Sequence, residues 1–268
     1  FYNEICKMMK KKLLKHIVFL FILLTFGGCV NEMDMIDHEQ NFDPDIELFV
    51  LPDPIKAIFE FDKSINNIYD RSNILSHIEF LYSNRKTRKL LIFLMESGIR
   101  INFYKFPAGS ESKNEAQCKP SFIITEIGFN GSNHITFENL LHELLHLYAY
   151  LNYKTYTDGY YAACEEYEVR VLTDLIMSRD FKGLVFEYQG MKSVSGDSIY
   201  SDYQEWLKTL INAYNYNSNL IVRKFQMYGV FCITNFLDFS DKENKFSLQI
   251  TDFNHYTPLL LKVFWQGF

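Results

Sequence analysis

The stretch that most constrains the fold is "FENLLHELLHLYAY", Phe137 to Tyr150. Leu141, Leu144, Leu145, Tyr148 and Ala149 follow the i, i+3, i+4, i+7, i+8 rule of a helix with one core-facing stripe. His142 and His146 are four residues apart, so their rings project side by side from an adjacent strip. Glu143 follows the first of them directly. Thr136 stands where a helix N-cap is wanted.

The segments around this helix set its context. Ile55–Tyr69 is amphipathic, and so is Ser72–Ser97 with a polar break at Ser83–Lys89; these predict a helix and then one or two more. "GIRINFYKF" (98–106) alternates and is rich in β-formers, and "SFIITEIGF" (121–129) reads as a second strand. Pro107–Pro120 is polar and reads as a loop, and "NGSNH" (130–134) as a turn. "YKTYTDGYY" (153–161) interrupts the pattern before a strong helix from Ala162 to about Arg179. Beyond it, Tyr203–Tyr214 and Leu220–Leu237 look helical and "KFSLQITDF" (245–253) strand-like.

The first residues are expected to stand apart from the fold. Lys7, Lys10, Lys11, Lys12 and Lys15 precede an apolar run, Ile17–Phe26, which is shorter than the roughly 20 residues a spanning helix needs. Residues 1–28 therefore read as a secretory signal, with translation expected to start at Met8 or Met9. The run ends "TFGGCVNEMD", which resembles the lipobox of bacterial lipoproteins. That resemblance implies a lipidated Cys29 and an exported chain on a bacterial membrane, periplasmic or at the cell surface. The alternative is ordinary signal cleavage with Cys29 incidental. Residues 29–54, acidic and with two prolines, read as a tether.

The 268-residue chain is 48% hydrophobic and 22% charged, which is ordinary globular composition. Without residues 1–28, its 27 basic and 33 acidic residues become 22 and 32, a net charge of −10. With no basic cluster after the signal, nucleic acid is not an expected partner. Of five cysteines, Cys118, Cys164 and Cys232 fall within the fold, too widely spaced for a disulfide framework; buried free thiols are expected.

Two imidazoles at the His142–His146 spacing can reach one tetrahedral ion at about 2.0–2.1 Å, and a glutamate at position 143 can act as general base in this H-E-x-x-H arrangement. A third ligand must come from another element. The helix "ACEEYEVRVLTDLIM" (163–177) offers Glu165, Glu166 and Glu168. Its apolar face is Cys164, Tyr167, Val171, Leu172 and Leu175. Glu168 is central on that face, Glu165 at its edge, and Glu166 points elsewhere with Val169, Arg170 and Thr173. A carboxylate on an apolar face needs a partner, so the wheel favours Glu168 or Glu165.

"HELLH" with a downstream glutamate helix resembles the gluzincin metallopeptidases. Several such families carry Glu-x-Glu-Ala-(Asp/Asn) there, with the first glutamate as ligand. "EYEVR" (166–170) fits with Val169 as the small residue, which implies Glu166. The thermolysin-like spacing also implies Glu166, and the aminopeptidase-like spacing implies Glu165. Arg170 departs from the Asp or Asn of that pattern. The resemblance covers about Ser121 to Met177. It implies a zincin-like domain with a small sheet on an active-site helix; the chain as a whole is expected to be α+β, with that domain over 55–190 and a mostly helical C-terminal subdomain over 191–268, the latter read from its own residues. The resemblance further implies Zn²⁺, a peptide or protein substrate and Glu143 as general base. The oxyanion of such a reaction needs a further donor, for which Tyr156, Tyr160, Tyr161, His255 and Tyr256 are the candidates. The strand at 121–129 is the candidate edge for an extended substrate. Two other readings stand beside the peptidase: a non-catalytic surface lipoprotein binding protein or glycan, and a metal-sensing domain.

Overall fold

Strand formation is decided here by side chains that must be covered on one face. The computed structural model describes residues 51–107, 115–153, 162–186, 188–194, 198–212, 219–235, 261–266 and 268. The signal segment, Cys29, most of the tether, the anticipated strand at 245–253 and the residues Tyr156, Tyr160, Tyr161, His255 and Tyr256 lie outside the described residues. All described residues belong to one compact unit, Leu48–Phe268. No helix among them is long and apolar enough to cross a membrane.

The elements in chain order are a short helix α1 (Asp53–Lys56), β1 (Phe59–Phe61), α2 (Ile68–Ser83), α3 (Arg85–Glu96), β2 (Arg100–Lys105), β3 (Ala116–Lys119) and β4 (Ile124–Phe129). They continue with α4 (Phe137–Tyr153), α5 (Ala162–Asp180), α6 (Ser198–Ile211), α7 (Asn219–Asn235) and α8 (Leu261–Gln266). The class is α+β: one small mixed sheet and otherwise helices. The sheet order is β1-β2-β4-β3, with β1, β2 and β4 parallel and β3 antiparallel to β4.

Three sequence expectations change. The single helix over Ile55–Tyr69 is α1, then β1, then the start of α2. Phe59 and Phe61 alternate, and pairing with Ile101 and Phe103 puts their rings 5.7 Å from Phe103. That burial outweighs the helical pattern. The tether gives way to the fold before Ile55, because Leu51 is buried and α1 begins at Asp53. Within the loop expected at 107–120, residues 116–119 form β3, held by pairing to β4 rather than by any propensity of "AQCK".

Other boundaries are set by local chemistry. The Asn84 side chain accepts from the Lys86 and Thr87 amides, so the polar break separates two helices, α2 and α3. Gly98 ends α3 with φ of 70°, a left-handed conformation that a Cβ would disfavour. The inner sheet face carries Ile101, Phe103, Ile127 and Phe129, all fully buried.

Against that core lies α4. Thr136 Oγ1 accepts from the Asn139 amide at 3.1 Å, the anticipated cap, a bond of the kind whose loss costs about 1 kcal/mol. Leu141, Leu144 and Leu145 are fully buried, and each contributes about 1.5–3 kcal/mol by leaving water. Burial does not stop at the stripe: every residue from Asn139 to Ala149 is buried, so α4 is covered all round. Its polar strip is covered by α5.

Candidate metal centre

A helix that is surrounded cannot send its polar side chains to solvent. His142, Glu143 and His146 are 7%, 5% and 3% exposed, which excludes a pair of solvated surface histidines. The two Nε2 atoms lie 2.9 Å apart with the rings nearly perpendicular, at 80°.

The third group comes from α5. Glu166 Oε2 is 2.8 Å from His146 Nε2, and Oε1 is 3.4 Å from His142 Nε2. His142, His146 and Glu166 form the metal-capable cluster among the described residues, each offering one ligand atom within 4.8 Å of the others. Tetrahedral ligation at about 2.0–2.1 Å separates donor atoms by about 3.3 Å; the 2.9 Å between the two Nε2 atoms and the 2.8 Å from His146 Nε2 to Glu166 Oε2 are close to that spacing.

The other two glutamates go elsewhere. Glu168 is buried on the apolar face, as the wheel requires, and its partner is the Leu261 amide at the start of α8, which donates to Oε1 at 2.9 Å. Glu165 is also buried and outside the cluster. The apolar face of α5 does not single out Glu166 because α5, like α4, is buried nearly all round. From Cys164 to Met177 only Glu166 and Arg170 keep partial exposure, and this i, i+4 strip faces the histidines.

Burial and charge sort the protonation states. Burial pulls the His142 ring down to about 4, so it is neutral at pH 7. Burial also opposes charge on His146, but the adjacent Glu166 carboxylate outweighs it and raises its pKa. Burial would raise Glu166; the two imidazoles and Arg170 outweigh it and hold the carboxyl well below its usual range. Burial lifts Glu143 to about 7, partly offset by His146. Two imidazoles and one carboxylate are a donor set suited to zinc, and a carboxyl poised near neutrality suits proton transfer. His142 Nδ1 is buried with no acceptor among the described residues.

Strand β3 borders the site. Asn130 N–H donates to the Glu115 carbonyl, which makes that a hydrogen-bonded pair. Pairs alternate along an antiparallel ladder, so the backbone groups of Ala116 and Cys118, opposite Phe129 and Ile127, turn away from β4. The Cys118 amide hydrogen-bonds Glu143. Burial and Glu143 push the Cys118 thiol well above its usual pKa, which keeps it protonated. None of Cys118, Cys164 and Cys232 is in a disulfide, and Cys118 is only half-buried. The edge expected at β4 is therefore β3; β4 is interior, paired on both sides.

Two features at the back of the site escaped the sequence reading. Arg170 Nε donates to Glu166 Oε1 at 2.9 Å. Asp174, one turn further on, accepts from the Gln189 amide (2.7 Å), the Gly190 amide (2.9 Å) and the Tyr203 hydroxyl (2.7 Å). The i, i+4, i+8 spacing of 166, 170 and 174 was a usable signal, but their partners at 189–203 are remote in sequence. His134 lies in its turn with Nδ1 3.8 Å from Glu115, and His77 contacts the Ile135 carbonyl; neither joins the cluster. Comparison with protein-family models, with curated proteins and with solved structures finds no match.

Proposed function

We propose that this chain is a zinc-dependent peptidase of zincin-like, gluzincin type, exported and anchored to a bacterial membrane through Cys29. The supporting observation is the convergence of His142, His146 and Glu166 from two buried helices onto a space the size of one ion, with Glu143 beside it. Zinc bound there supplies a Lewis acid for the scissile carbonyl and a water of lowered pKa. The chain's own residues do the rest. Glu143 takes the attacking water's proton on its carboxylate and returns it to the leaving amine. Its pKa of about 7 suits both halves of that transfer. The outer edge of β3, unpaired among the described residues, offers Ala116 backbone groups to an extended peptide, which holds a scissile bond across the site.

Removing metal tests this directly. Dialysis of the purified chain against a strong chelator is expected to abolish hydrolysis of an unstructured protein such as casein, and stoichiometric zinc to restore it. Activity untouched by a chelator that strips all metal would sink the reading. The anchor has its own check. Cys29→Ser is expected to move the protein from the membrane fraction to the soluble fraction, and unchanged membrane retention would remove the lipid from the proposal.

One observation favours the alternative of a non-catalytic surface lipoprotein using a zincin-like scaffold to bind protein or glycan. Arg170 stands where the resemblance leads to Asp or Asn, and its cation sits against the third ligand. Fold does not carry chemistry with it. The Glu143 substitution argued in the Discussion separates the two readings.

A further inference from the structure

Among the three ligating side chains, Glu166 is the one the core does not hold. Its side chain is 29% exposed, against 9% for His142 and 4% for His146. A partly exposed glutamate has rotamer freedom to lose on being fixed. What fixes it is Arg170. The guanidinium Nε takes Oε1 at 2.9 Å, which leaves Oε2 directed at His146 Nε2, 2.8 Å away. Arg170 is steadied from behind: its Nη1 donates to the Gln189 carbonyl at 3.5 Å. The Gln189 and Gly190 amides are in turn pinned by Asp174, which also holds the Tyr203 hydroxyl of α6.

We infer that Arg170 is a positioning residue for the metal centre. It holds the Glu166 carboxylate with Oε2 against His146 while Oε1, shared with the guanidinium, lies 3.4 Å from His142, and it transmits the packing of Gln189, Gly190 and Tyr203 to the ligands. The inference rests on the metal-centre reading above. It also gives the C-terminal elements a task that their sequence does not announce. A planar guanidinium fixes the plane of a carboxylate, whereas a lysine supplies a point charge on a flexible stem.

The test is a double-mutant cycle on zinc affinity, read by chelator competition in the wild-type chain, Arg170→Gln, Glu166→Gln and the double variant. Supporting residues behind ligands are worth about 10–100-fold in metal affinity, so Arg170→Gln is expected to weaken zinc binding by about tenfold or more. In the Glu166→Gln background the same change is expected to cost less than about twofold, because Arg170 acts through Glu166. An equal loss in both backgrounds would mean general damage to the fold and would overturn the inference, as would no loss in either. If Arg170→Gln does not fold, Arg170→Lys takes its place in the cycle with the same expectations. A wild-type chain that binds no zinc removes the metal reading and this inference together. Zinc binding indifferent to position 170 removes the inference alone.

Discussion

Glu143→Gln is expected to lower peptide hydrolysis by about 10²–10⁴-fold, the range a general acid–base group supplies, while the zinc content of the protein stays that of the wild type. Glutamine keeps the shape of the side chain and can still meet the Cys118 amide, but it cannot take a proton. Glu143 is outside the His142–His146–Glu166 cluster, so its loss should leave the ligands intact. The measurement is turnover of a peptide library alongside elemental analysis of both proteins. Equal turnover in the two, with metal bound in each, would leave the scaffold without the proposed chemistry. Metal in both and turnover in neither would favour the binding module.

The largest effect on stability is expected at Asp174, not at the metal. Asp174→Ala leaves two backbone amides and the Tyr203 hydroxyl without their acceptor inside the protein. A buried orphaned group costs about 1–3 kcal/mol, so three cost at least about 3 kcal/mol together. Denaturant midpoints of the two proteins read this. Asp174 should also make stability depend on pH. Burial pushes its carboxyl up to about 8 from 3.8, against the three donors that favour the charged form. Between those values the folded chain holds a proton that the unfolded chain has released. This contribution is therefore complete at low pH and is lost as pH rises through about 8. Asp174→Asn keeps the shape without titrating, so its midpoint should fall less than the wild-type midpoint between pH 5 and pH 8.5. Parallel pH profiles for the two would refute the assignment.

The parts of the site that could be read from sequence are those whose geometry is local. Residues 142, 143 and 146 share one helix, and the 3.6-residue period alone places the two rings side by side. The break between α2 and α3 was equally legible, since Asn84 carries its own cap. Strand β3 was not legible, because four residues of "AQCK" become a strand only when β4 offers them a ladder. Nor was β1, whose Phe59 also fits a helical stripe with Ile55 and Ile58 until Phe103 stands beside it.

The third member of the His142–His146–Glu166 cluster marks the boundary most clearly. Taken alone, α5 has an apolar face with Glu168 at its centre, and that reading was physically sound: Glu168 is buried and does have a partner. The partner is the first amide of α8, 93 residues away in the chain. The sequence by itself determined an amphipathic helix carrying two histidines and a glutamate at ligand spacing. Only the tertiary structure decided which face of α5 meets that helix. The apolar stripe of a helix covered on nearly all sides does not by itself fix its rotation, so the rotation is set by what docks around it: the α8 amide on Glu168, and Gln189 on Asp174 and Arg170.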